Sequence, residues 1–165
     1  MIFLNRTTFI FLIAMVFCYV PASAQEPHPA ENDLQLSSEL IELLRAEMRA
    51  LLTGIQSLAA GIATADWDSV ADKSAQIRAS YILDQKLTPA QRNELNVSLP
   101  EYFKRLDSGF HLEAKKLEAA ATHHDEQLAA FHYYRLIESC TACHAIYAVS
   151  RFPGFKPSRE VAHEH

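Results

Sequence analysis

Residues 36–64 read LSSELIELLRAEMRALLTGIQSLAAGIAT, and Leu40, Leu44, Met48, Leu51, Ile55, Leu58 and Ile62 fall three, four or seven positions apart along it. That recurrence is the period of one face of an α-helix; a half-buried strand would alternate every second residue. Ser37 or Ser38 supplies an N-cap, and the pattern fades near Thr64. Downstream the same period returns. Asp66 or Asp68 opens a second helix with the stripe Trp67, Val70, Ile77 and Tyr81. Thr88-Pro89 marks a break and a new helical start, since proline suits the first turn. Ser98, ahead of Leu99 and Pro100, opens a third long helix carrying Phe103, Leu106, Phe110, Leu117 and Ala121. After a polar turn at 122–125, a fourth helix runs from about 126 to 149, and Arg151-Phe152-Pro153-Gly154 stops it.

Composition points the same way. After residue 24 there are 21 Ala and 17 Leu against four Val, five Thr and four Gly, a balance that favours helices over strands. The expected fold class is all-α, an antiparallel four-helix bundle over 36–150. Residues 25–35, with Pro27 and Pro29, read as a flexible lead-in, and 151–165 as a C-terminal tail. The net charge of −5 argues against a nucleic-acid partner, which needs a basic face.

The first 24 residues read as an address. Arg6 precedes an uninterrupted apolar run from Ile10 to Val20, and Pro21 leads into Ala22-Ser23-Ala24. A charged start, a short apolar core and a small-x-small ending predict a secretory signal cleaved after Ala24, hence a periplasmic protein. A membrane anchor is the rival reading, but the run barely reaches the ~20 residues a span requires, so no permanent anchor is expected. Phe17 before Cys18 is too bulky for a lipoprotein site. Cleavage leaves 141 residues with a net charge of −6 and two cysteines, Cys140 and Cys143.

Those two belong to Cys140-Thr141-Ala142-Cys143-His144, and C-x-x-C-H is the attachment signature of c-type haem. Residues i, i+3 and i+4 share a helix face, so both thiols and the imidazole point the same way. Thioethers from Cys140 and Cys143 would hold one covalent haem c, with His144 as the proximal iron ligand and Tyr147, one turn on, packing against the macrocycle. A thioredoxin-like motif would sit in a βαβ context, and a zinc site would need a second ligand pair; the sequence offers neither beyond His163 and His165 in the tail.

The motif lies near the C-terminus with no methionine after it. Four helices, C-x-x-C-H on the last and tyrosine three residues after the histidine resemble the class II c-type cytochromes, the cytochrome c-prime family. The resemblance covers roughly 36–151 and rests on Cys140, Cys143, His144, Tyr147 and the helix pattern. It implies a distal residue from the first helix. Met48, the one methionine after residue 24, lies on that stripe and is the candidate distal ligand, as in low-spin members. Two positions depart from the family pattern: Leu44 stands where arginine is frequent, with Arg45 one residue off, and Ala148 follows the motif's tyrosine where arginine is common.

His111 and His132 are the alternative helix-borne ligands; His28, His123, His124, His163 and His165 read as solvated surface, and Asn96-Val97-Ser98 as a chance sequon. The resemblance thus implies a periplasmic single-electron carrier whose acidic surface suits a redox partner with a basic docking face. The alternative is a five-coordinate protein binding NO or CO. Neither an acid–base pair nor a second metal site is visible, so an enzyme is not expected. Family members are often homodimers.

Overall fold

Four of the described helices begin where backbone donors left unpaired by the first turn find a side-chain acceptor. The computed structural model describes residues 34–155, and among these it contains five α-helices, a short 3-10 turn and no strand. The helices are α1 (Ser38–Thr64), α2 (Trp67–Arg78), α3 (Pro89–Ser98), α4 (Glu101–Thr122) and α5 (Glu126–Tyr147), with the 3-10 turn at Pro153–Phe155. Ser37 caps α1, Asp66 caps α2 and Asp125 caps α5, each accepting from the backbone N–H three residues on. Thr88 and Gln91 form a reciprocal capping box on α3, behind Pro89 in the first turn.

Three boundaries differ from the sequence reading. Ser98 is the last residue of α3 and does not open the third long helix. Leu99 is extended because a residue preceding proline is pushed out of the helical region, and α4 starts only after Pro100. α5 ends at Tyr147, two residues early, and Tyr81 lies beyond the end of α2 while still packing against the core. The break at Thr88-Pro89 therefore yields a separate ten-residue helix with no buried residue. The expected signal peptide over 1–24, the expected lead-in as far as residue 33 and the tail beyond 155 lie outside the described residues. No described helix is long and apolar enough to cross a membrane.

The four longer helices pack in the cyclic order α1, α2, α4, α5. α2 against α4 and α4 against α5 are the closest seams, α1 against α2 follows, and α5 meets α1 only sparsely. Leu58, Val70, Ile77, Leu117 and Leu136 are fully enclosed between them. The α1–α2 seam is tight because two glycines lie in it. A Cβ on Gly61 would come within 2.8 Å of Val70 Cγ2, and one on Gly54 within 2.6 Å of the Tyr81 hydroxyl and 3.2 Å of Ile77.

Glu47, 2% exposed, joins α1 to the turn after α2: its carboxylate accepts from the backbone N–H groups of Tyr81, Ile82 and Leu83 at 2.9, 2.6 and 3.2 Å. At one end of the bundle Phe103 of α4 meets Tyr147 of α5 edge to face, at 5.2 Å between centroids. At the other, Trp67 stacks on His124 at 6.4 Å. These pairings run α5 antiparallel to α4, so the C-terminal half of α5 lies in the same half of the bundle as the N-terminal half of α1.

Candidate functional site

α5 carries Cys140, Cys143 and His144 on consecutive turns, all three partly buried, and both cysteines are free thiols. Cys140 packs against the main core cluster, and Cys143 lies near Asp107 of α4. Tyr147 is 7% exposed and engages Phe103, which makes it part of the α4–α5 packing at this end. The helix is apolar nearly all round: Leu128, Phe131 and Tyr134 point outward, while Ala129 and Leu136 are buried. A helix of that kind contributes more apolar surface than the described bundle covers.

Burial sets the charge states. It pushes both thiols up, Cys143 to about 11 with further upward influence from Asp107 and Cys140. Both are therefore neutral near pH 7, whereas reactive dithiols hold a lowered pKa. Burial lowers His144, and the nearby positive charge of Arg151 lowers it further. A neutral imidazole is the form that donates to a metal. Among the described residues no group of three or more His, Cys, Asp or Glu side chains converges on a point that could hold a metal ion. The donor set here is thus two thiols and one imidazole in a row along a helix face.

The chain folds back over this face after α5. The Arg151 and Phe152 N–H groups both donate to the Ala148 carbonyl, at 3.1 and 2.9 Å, and Phe155 N–H donates to the Phe152 carbonyl at 3.1 Å. The Phe152 ring then lies 4.8 Å from the His144 ring at 31° between planes, with Phe155 at 6.5 Å from His144. Phe152 and Phe155 meet edge to face at 6.5 Å.

Met48 is 36% exposed on α1, next to Glu47 and in the same half of the bundle as the thiols. Leu52, one turn further along the same side, is also exposed. The alternative histidines are otherwise engaged. His111 donates from Nδ1 to the Ile77 carbonyl at 3.0 Å and has Nε2 3.6 Å from Asp107. Burial would lower its pKa, but Asp107, the Ile77 carbonyl and Asp84 outweigh it and the net shift is upward. His132 donates from Nδ1 to Glu113 at 2.8 Å across the α4–α5 seam, and Lys116 holds the other Glu113 oxygen at 2.7 Å. Arg45, the near match to the family's arginine, pairs with Glu42 on the surface at 2.5 Å.

Sequence reasoning missed Glu47 and Glu113. Glu47 had a signal: it sits between Leu44 and Leu51 at positions where the α1 stripe calls for an apolar residue. Glu113 falls four residues before Leu117, on the edge of the α4 stripe. Comparisons with protein-family models, curated proteins and solved structures find no match to this chain.

Proposed function

We propose that this chain is an exported haem c protein that carries single electrons, a four-helix cytochrome resembling the cytochrome c-prime family. The observation that supports the reading best is the placement of Cys140, Cys143 and His144 along one partly buried face of α5. Met48 lies on α1 in the same half of the bundle.

The residues fit the group. Cys140 and Cys143 would form its two thioethers, and His144 and Met48 would be the iron's axial ligands. When bound, haem supplies an iron that cycles between ferric and ferrous states. The protein's contribution is position and environment. The two cysteines fix the group along α5, and neutral His144 offers a lone pair without losing a proton. The thioether of Met48 favours ferrous iron and raises the potential relative to a second histidine. Ile137, two turns before His144 on the same face of α5, is an exposed apolar residue that the group would cover. The acidic charge of the chain would favour a basic docking face on the redox partner, with salt-sensitive association.

Covalent attachment is tested directly. Denatured protein expressed with the cytochrome maturation machinery should keep peroxidase-stainable haem on a gel, and C140A with C143A should abolish it. Haem extractable by acidified ketone, or none at all, overturns the proposal. Absorption and EPR spectra then separate carrier from gas binder. With Met48 as ligand the ferric iron is low-spin, and M48A turns it high-spin, lowers its potential and admits CO. Wild-type iron already high-spin and open to CO would instead assign the chain to gas binding.

A further inference from the structure

We propose that the hook at 151–155 is an aromatic clamp that orients His144, with Phe152 and Phe155 as its positioning residues. The inference rests on the reading of His144 as an iron ligand. A ligating histidine is ordinarily held by a hydrogen bond from its other ring nitrogen to a carbonyl or carboxylate. Among the described residues the His144 ring makes no such bond. What it has is two phenyl rings, both tilted against it: Phe152 at 4.8 Å and 31°, and Phe155 at 6.5 Å and 59°.

At 4.8 Å the Phe152 ring leaves the His144 imidazole little room to turn, so it restrains the orientation of that side chain and shields it from water on one side. The clamp is itself braced. Two N–H bonds to the Ala148 carbonyl turn the chain back, and Pro153 fixes the backbone between the two phenylalanines. Phe155 supports Phe152 edge to face at 89°, and the Arg151 guanidinium lies 5.9 Å from the Phe152 ring centre.

Phe152 and Phe155 are 38% and 36% exposed and lie outside the helices, so replacing them leaves the bundle core intact. The test uses the full-length, haem-loaded protein and the variants F152A, F152L, F152Y and F155A, with circular dichroism to confirm unchanged helix content. Two readouts follow the iron–imidazole bond: the ferric EPR spectrum, and the iron–histidine stretching band in resonance Raman spectra of the ferrous protein carrying M48A, where His144 is the one protein ligand left to the iron.

F152A and F152L should broaden the EPR signal and shift and broaden the iron–histidine band, the mark of a ligand no longer held in one orientation. F155A should do so to a smaller degree, and F152Y, which keeps the aromatic ring, should match wild type. Covalently attached haem whose EPR signal and iron–histidine band are unchanged in F152A overturns the clamp alone. A rescue by F152L as complete as that by F152Y reduces it to apolar filling and also overturns it. Wild-type protein without covalent haem overturns the underlying reading, and the clamp's role with it.

Discussion

Glu47 and Met48 are neighbours in sequence with opposite surroundings, one enclosed and one exposed. The enclosed carboxylate accepts three backbone donors from the turn after α2, so replacing it strands three N–H groups in a partly buried turn. E47A should lower unfolding stability by about 2–4 kcal/mol in urea titrations, since each unsatisfied donor costs ~1–3 kcal/mol when water cannot reach it. E47Q should fall between, because one carboxamide oxygen can still accept two of the three. The same anchor fixes the rotation of α1 about its axis, and with it the direction in which Met48 points. At this scale the sequence was legible where chemistry is local: Cys140, Cys143 and His144 lie within five residues, and their spacing alone puts them on one face. It was silent on Glu47, whose partners lie 34 to 36 residues away. Phe152 it gave only within the stretch that stops the last helix, because the approach of its ring to His144 depends on a turn that apolar periodicity does not encode.

The seams between helices obey different rules. In the α1–α2 seam, G61A should cost about 1–3 kcal/mol, because the new methyl meets Val70 at 2.8 Å and one helix must shift. Gly109 of α4 has open space around its Cα, and G109A should stabilise by ~0.5–1 kcal/mol through helix propensity. Thermal melts of the pair would separate close approach from intrinsic preference. In the α4–α5 seam, burial pushes the Glu113 pKa up, but Lys116 and His132 outweigh it and hold the value below the ordinary 4.5. A carboxylate depressed in the folded state contributes stability that is present above the unfolded pKa and lost as pH falls through the folded one. Denaturation midpoints should therefore drop below about pH 4.5, and E113Q should flatten that part of the profile. The four longer helices were legible, because each stripe repeats over several turns. Helix ends were not. Pro100 moved the start of α4 past Ser98, and an isolated ten-residue helix with no buried side chain leaves no apolar signature to read.

Three seams of the bundle are closely packed and the fourth is sparse, while α5 turns Leu128, Phe131 and Tyr134 outward. If a group occupies the α1–α5 side, it should tie those helices together, and protein made without the maturation machinery should melt broadly and at lower temperature than the loaded form. Scanning calorimetry of both preparations checks this; equally sharp and coincident transitions would contradict it. The bundle itself was legible from four stripes and short connections, but the inequality of its seams was not, because periodicity says which face is apolar and nothing about how well that face is covered. The inequality has a consequence in time. α1 and α2 are joined by a two-residue connection and α4 and α5 by three residues, so those pairings close short loops. The α1–α5 seam joins opposite ends of the described chain, and the entropic cost of closure grows with the length enclosed. It is the natural last step of folding, and until it closes α5 stands already formed with its two thiols, open to any enzyme that would join a group to them.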